Sequence, residues 1–458
     1  MQNSRFRMHL PGALLGLIAL LQSAPPGIAA AETPPWLQQR LDWFQDQKFG
    51  LLMHWGSYSE RGYDASWPIV GQSDQFKQEY FDLAHTFNPA HFNPSDWARL
   101  AKEAGMKYVV FTTKHHDGFC LFDTRLTDFR VTASDVPFHA NARSNIVREV
   151  FGAFRQEGLG IGAYFSKADW HSPYYWNPQW PATNNEVDYD TRAHPELWSN
   201  FVAYTYGQIQ ELMTGYGSID ILWLDAGWVR PPREDIQMDR LVAMARQYQP
   251  HLIVVDRTVG GVYENYYTPE QQVPDQPLPH PWETCMTMGT QWSFKPNDDY
   301  KSTHQLIQLL VNIVGKGGNF LLNIGPQPDG QIPPVAQQRL KEIGAWLQVN
   351  GAAIYGTRPL APYKDDQVVF THQGPQAYAI YLPDSEDAGL PEQVFFGGPK
   401  PKPGSEVHLL GAKPALSWNI RANGTTAIDI PAGLRQSPPC RHAFAFAFYP
   451  ADENQTTH

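Results

Sequence analysis

Cysteine is scarce. Cys120, Cys285 and Cys440 are the three in 458 residues, widely spaced and without a C-x-x-C pair. An odd count excludes a fully paired intramolecular disulfide framework, although one bridge stays possible; stability must come from a core, and buried free thiols are expected at all three positions. Basic runs are lacking too. Lys plus Arg number 35 against 46 Asp plus Glu, a net charge of −11, which argues against a nucleic-acid surface or a polybasic membrane patch. Beyond the first thirty residues no stretch approaches the roughly 18 uninterrupted apolar residues of a membrane span. No G-x-G-x-x-G follows a strand-like segment, which weakens a dinucleotide reading, and neither H-x-H nor H-E-x-x-H signals a bound metal.

What is present is core material. Hydrophobic residues make up 42% and charged residues 18%, the balance of a chain that buries a sizeable interior rather than a disordered or collagen-like one. Aromatics reach 13%, with 15 Trp, so planar apolar faces of the kind sugar rings stack on are abundant. The N-terminus reads differently. Arg5 and Arg7, the apolar run Ala13–Leu21 and the small residues Ala29-Ala30-Ala31 follow the order of a secretory signal peptide. Cleavage after Ala31 removes two cations and no acids, moving the charge to −13. The mature protein is expected to be exported and soluble, periplasmic or secreted.

From about residue 48 to 350, strand-like and helix-like segments alternate. Apolar runs stand at Phe49–His54, Tyr108–Thr112, Ile161–Phe165, Ile219–Leu224, Leu252–Val255 and Phe320–Ile324; helical patterns cover Ser95–Ala104, with Ser95 as N-cap, Asn145–Glu157 and Pro195–Met213. Buried strands alternating with helices predict parallel β/α units. Six visible strands with room for two more suit a (β/α)8-like barrel, so the fold class is α/β. After Gly351 prolines punctuate short alternating segments, and Ala443–Tyr449 alternates small and aromatic residues like a strand with one buried face. The domains expected are a signal peptide (1–31), a (β/α)8-like catalytic domain (32–354) and a C-terminal antiparallel β-sandwich (355–458).

In such a barrel the site lies at the C-terminal ends of the strands. The residues there are His54 and Trp55, then His115, His116 and Asp117, then Tyr164 with Asp169 and Trp170, then Asp225, Arg257 and Glu283. Asp225 follows four apolar residues and precedes Ala226-Gly227. It reads either as a helix N-cap or as a nucleophilic carboxylate. A glycosidase needs two carboxyl groups flanking one bond; Glu283 is the first choice for the second, with Glu270 and Glu264 as rivals. Neutral histidines both donate and accept, which suits the hydroxyls of a polyol better than a metal.

These residues carry a resemblance to the α-L-fucosidases of glycoside hydrolase family 29. The matching stretches are Lys48–Ser59, Phe87–Phe119, Ala163–Pro173, Asp220–Gly227, Pro281–Met286 and Gly317–Pro333, spread over residues 40–350. The resemblance implies a (β/α)8-like domain with a C-terminal β-sandwich, no metal or cofactor, and hydrolysis with retention through a fucosyl-enzyme. It implies Asp225 as nucleophile, His54, His115, His116, Tyr164 and Arg257 as fucose-holding residues, and Trp55 and Trp292 as aromatics near the sugar; Trp67 is a further substrate-binding candidate. The acid/base varies within the family; Glu283 is preferred, then Glu270. Departures fall in loops around the sugar: Glu60-Arg61-Gly62, Ser66-Trp67-Pro68 and Gln291-Trp292-Ser293-Phe294 replace the commoner Val-Pro, Glu-Trp-Tyr and Ser-Trp-Gly-Tyr. The function expected is a retaining exo-α-L-fucosidase acting on a fucosylated glycan, with neither nucleic acid nor membrane as partner. An inactive fucose-binding, lectin-like barrel is the alternative, and a metal-dependent barrel hydrolase a distant third.

Overall fold

The computed structural model describes residues 33–451, so the signal-peptide reading of residues 1–31 lies outside the described part. Seven parallel strands form the first sheet: β1 (Phe49–Met53), β2 (Tyr108–Lys114), β3 (Gly160–Ser166), β4 (Ile221–Asp225), β5 (Ile253–Asp256), β6 (Glu283–Thr287) and β7 (Asn319–Ile324). Their order is β5-β4-β3-β2-β1-β7-β6. Almost every residue in them is buried, as continuous apolar runs covered on both faces require. The expected eighth strand is replaced by an irregular stave. Between the edges β5 and β6, Glu264 bridges Val255, while Tyr267 and Glu270 bridge Trp282 and Cys285 in the parallel sense. Closure of the curled sheet therefore rests on isolated bridges made by residues 263–271.

Helix α1 (Pro35–Gln47) lies against the barrel's interior, and the other helices wrap the outside: α2 (Asp74–Phe81), α3 (Pro94–Glu103), α4 (Ile146–Gln156), α5 (Pro195–Gly215), α6 (Met238–Tyr248), α7 (Thr303–Gly315) and α8 (Pro334–Asn350). Their starts follow local chemistry. Asn145 caps α4 by accepting from the Arg148 amide, and Ser302 with Gln305 forms a capping box on α7. The expected Ser95 cap is displaced: α3 begins at Pro94, a residue preset for the first helical turn, with Asn93 at the cap position.

Alternation along the strands sorts two cores. Outward residues such as Leu51, Val109 and Leu222 meet the helices. Inward ones form columns inside the barrel: Leu52, Tyr108 with Val110, Tyr164, Ile221 with Trp223, Ile253 with Val255, Cys285 and Leu321. Helix α1 plugs the lower end of this interior with Leu37, Leu41 and Phe44, whose ring stacks on Tyr266 at 4.0 Å.

From Arg358 onward the chain is antiparallel. Six strands (358–365, 368–373, 376–381, 407–409, 415–416 and 444–448) form one sheet, and three (393–396, 418–420 and 426–429) form the other. Phe370, Phe396, Phe444, Phe446 and Phe448 fill the space between them. The strand expected over Ala443–Tyr449 runs from Phe444 to Phe448 and is buried on more than one face. Its phenylalanines enter the sandwich core, while Ala443 and Ala445 face α8: Trp346 donates to the Ala443 carbonyl at 2.9 Å, and Asn350 accepts from the Ala445 amide at 3.3 Å. Small residues there let the sandwich seat closely on the barrel. All three cysteines are free; Cys120 and Cys285 are buried and Cys440 is half-buried.

Candidate active site

The inward columns continue past the strand ends, so the same alternation that packs the barrel aims polar side chains into its upper mouth. On β4 the column reads Ile221, Trp223, Asp225; past β5 it reads Val255, Arg257; past β1 it reads Leu52, His54. A pocket of about 330 Å³ opens there, lined by Leu52, His54, Trp67, His115, Trp223, Asp225, Gly227, Trp228, Arg230, Arg257, Thr258, Glu270, Cys285 and Trp292. A larger hollow of about 790 Å³ beside α1 has one carboxylate, Glu264. That carboxylate accepts from the amides of Thr258 and Gly260 at 3.1 and 2.9 Å and closes the turn after β5. Glu264 is therefore not one of the pocket's acids.

One guanidinium organises the pocket. Arg257 Nη1 donates to Asp225 Oδ1 at 2.9 Å and Nη2 to Glu270 Oε2 at 2.7 Å. Two carboxylates on the two arms of one guanidinium lie at most about 8 Å apart by their bond lengths, a limit that includes the 5–5.5 Å of retaining glycosidases. Burial alone pushes the Asp225 carboxyl up; the adjacent Arg257, His116 and the Tyr164 hydroxyl, which donates to Oδ2 at 2.6 Å, more than reverse this and hold it well below the usual range. Asp225 is therefore ionised.

Glu283 is elsewhere. The sequence expectation put it at a strand end, but it opens β6 rather than closing it, paired with Asn319 at the start of β7. It is 0% exposed and accepts from the Tyr108 hydroxyl, from Trp223 Nε1 at 3.2 Å and from the Tyr266 hydroxyl at 3.2 Å. Burial pushes its carboxyl up to about 7 despite these donors. Glu270 bridges Cys285, two residues further along β6, or about 7 Å higher in the barrel. Glu270 is thus at the mouth, its side chain 46% exposed, and Glu283 is in the layer beneath.

Two of the three histidines, His54 and His116, are fixed in defined tautomers. Asn323 donates its amide to the Trp292 carbonyl at 2.6 Å, so its oxygen faces His54 Nδ1, 2.7 Å away, which must donate. Ser166 donates to the Ala168 carbonyl at 2.6 Å and so accepts from His116 Nδ1, also at 2.6 Å. Both rings therefore carry a lone pair on Nε2. Burial lowers both pKa values to about 4 and pushes His115 down as well. His115 bonds Ser66 Oγ through Nδ1 at 2.5 Å. Strand β2 ends at Lys114, so the alternation that would separate His115 from His116 stops, and their rings lie 4.2 Å apart beside Asp225.

Trp55 does not reach the pocket. One position beyond inward-facing His54, it points outward among Phe87, Phe92 and Trp97 and donates to the Gln327 carbonyl. Asp117 is buried against the Tyr80 hydroxyl, and Asp169 pairs with Lys114 at 3.0 Å. Trp170 stacks on Trp176 behind His116. Trp67, Tyr164 and Trp292 stand at or beside the pocket. Leu52, Trp223, Trp228, Thr258, Arg230 and Cys285 were not anticipated. Trp223 and Leu52 were within reach, since each lies two residues before a predicted strand-end residue and so shares its face. The backbone marks the same places: Ala226, Thr258 and Gln271, each following one of the three bridged residues, take φ of 68°, 61° and 54°. Left-handed non-glycine residues of this kind cluster at functional sites.

A family model described as Alpha-L-fucosidase matches residues 29–352. The tissue alpha-L-fucosidase of Mus musculus is 30% identical over 453 residues, covering 91% of this chain and 93% of its own. Among solved structures, alpha-L-fucosidase isoenzyme 1 from Paenibacillus thiaminolyticus aligns with a TM-score of 0.78 at 32% identity, over 91% of this chain and all of that one. The Thermotoga maritima alpha-fucosidase in complex with fucose aligns at 0.71 and 27% identity, over 88% and 96%.

Proposed function

The chain belongs to the α-L-fucosidase family, and from that premise we propose how its pocket divides the work. The protein is a retaining α-L-fucosidase that removes terminal fucose by double displacement. Asp225 attacks the anomeric carbon. Glu270, rather than Glu283, protonates the departing oxygen and then takes a proton from the attacking water. The observation that carries this reading is the Asp225–Arg257–Glu270 bridge: two carboxyl groups in one pocket, the first kept ionised by a buried guanidinium, the second at the mouth where a leaving group must exit. A proton donor has to reach the leaving oxygen, and Glu283, sealed under Trp223 and Cys285, lacks that reach.

The other residues hold the sugar. The unprotonated Nε2 atoms of His54 and His116 accept from fucose hydroxyls, and His115, whose serine partner can donate or accept, adapts to a third. Leu52, Trp223 and Trp292 offer an apolar wall to the ring's methyl face, and Trp67, 40% exposed, meets the leaving group at the rim. Hydrogen bonds that strengthen as the ring flattens toward an oxocarbenium ion lower the barrier. A lectin-like protein needs no second carboxylate on Arg257. The substrate is a fucosylated glycan, and the Arg5/Arg7 start with its apolar run supports export before it meets that glycan. The test is hydrolysis of an aryl α-L-fucoside followed by NMR: α-fucose should form first. A β-first product, or binding without release, sinks the mechanism.

A further inference from the structure

We propose that the upper end of the barrel is also a binding site for a borderline divalent cation such as Zn²⁺, held by His116 Nε2, a ring nitrogen of His115 and Asp225 Oδ2. The bound cation excludes the sugar. These three side chains each offer a ligand atom, and the three atoms lie within 4.8 Å of one another. The tautomers make the site specific. His116 donates through Nδ1 to Ser166, so its Nε2 lone pair is free; that atom is fully buried, has no hydrogen-bond partner among the described residues, and faces Asp225 Oδ2 at 3.8 Å. Two acceptors aimed at each other in this pocket need a hydroxyl, a water, a proton or a cation between them. Fucose supplies a hydroxyl; without sugar, a cation fits the same place.

The ligand set selects the ion. Two neutral imidazoles and one carboxylate suit zinc or copper(II), whereas magnesium and calcium require oxygen ligands. Tetrahedral zinc sets neighbouring ligand atoms about 3.3 Å apart, so the 3.8 Å gap between His116 and Asp225 has to contract by about 0.5 Å, and the other gaps, within 4.8 Å, by at most about 1.5 Å, which side-chain rotation supplies. The outer partners are also in place: Ser166 orients His116, and Tyr164 holds Asp225. Arg257 opposes binding, but it occupies Oδ1 and leaves Oδ2 to the ion. Water completes the coordination.

The inhibition readout rests on the proposed role of Asp225, whereas metal binding does not, so two measurements separate them. Chelator-treated protein is assayed on an aryl α-L-fucoside across a Zn²⁺ series, and Co²⁺ binding is followed separately by its visible absorption. Expected are a rise in apparent KM at constant kcat, reversal by EDTA, and Co²⁺ bands abolished by saturating fucose and by His116→Ala. Ser166→Ala, which frees the tautomer without removing a ligand, should weaken Co²⁺ binding at an unchanged melting temperature and guards against misfolding of His116→Ala. Three outcomes overturn the site: active enzyme indifferent to Zn²⁺, inhibition that leaves KM unchanged, or Co²⁺ bands that survive both fucose and the His116 substitution. Intact Co²⁺ bands in a protein that never hydrolyses the fucoside uphold the metal site and remove the fucosidase mechanism instead.

Discussion

Replacing Glu270 and Glu283 in parallel separates a proton donor from a packed carboxylate. Glu270→Ala removes a half-exposed partner of Arg257, so the stability lost should be below about 1 kcal/mol. Its kinetic cost depends on the leaving group. With a fucosyl disaccharide the departing alkoxide needs a proton, and losing a general acid should slow hydrolysis by about 10²–10⁴. With a 4-nitrophenyl fucoside the first step stays fast, the fucosyl-enzyme accumulates, and azide restores turnover to give an α-fucosyl azide. Glu283→Ala behaves differently. Three buried donors (Tyr108, Trp223 and Tyr266) lose their acceptor, and at about 1–3 kcal/mol each the loss is roughly 3–9 kcal/mol, enough to unfold a marginal domain. Glu283→Gln keeps the shape and an acceptor; it should fold and cleave both substrates with the same ratio as the parent, without azide rescue. Melting curves, the two rate constants and NMR of the azide product suffice as assays. The assignment collapses if Glu283→Gln loses the disaccharide alone and is rescued with retention while Glu270→Ala is not.

Asp225→Gly should abolish hydrolysis, and azide should restore it as β-fucosyl azide, since attack then comes from the emptied face; near-normal hydrolysis by this variant would exclude Asp225 as nucleophile. Gly227→Ala should lower kcat/KM by about 10–100-fold, because a Cβ there would stand 2.0 Å from Thr258 Oγ1 and 2.8 Å from the Arg257 carbonyl oxygen and displace the arginine that aligns both carboxylates. An unchanged rate would show that Arg257 tolerates the shift. The buried Glu283 carboxyl also predicts a pH dependence of stability. Its folded value of about 7 exceeds the usual 4.5, so the native state holds the extra proton and stability falls as pH rises from 4.5 to 7, by on the order of 3 kcal/mol from this group. Chemical denaturation should show that slope in the parent and a flatter one in Glu283→Gln; identical slopes would refute it.

Much of the barrel was legible because buried parallel strands are continuous apolar runs: the six expected strands appear as β1 to β5 and β7 within one or two residues. Strand β6 was missed because Glu283, Thr284 and Thr287 break the apolar run. The sandwich strand at 444–448 was legible from its period of two, but not its second buried face, since alanines read as a weak outer face until α8 covers them.

The misplaced acid follows from the missed strand. Taken as the residue after a strand, Glu283 belongs at the mouth; taken as the first residue of one, it belongs at the floor, and a shift of one strand length exchanges solvent for the aromatic ring of Tyr108, Trp223 and Tyr266. Glu270 had no strand to announce it. It rides on residues 263–271, which close the barrel through isolated bridges with three tyrosines, a proline and polar residues rather than an apolar run. A ladder that regular would have buried Glu270 as thoroughly as its neighbours. The irregular stave lets the chain turn at Gln271 with φ 54°, leaving the carboxylate on Arg257 and still open to the solvent from which an attacking water must come. The weakest part of the fold's sequence signal is thus the part that carries the proposed proton donor. The two facts share one cause: the segment that leaves Glu270 open to water lacks the apolar run by which a buried strand announces itself.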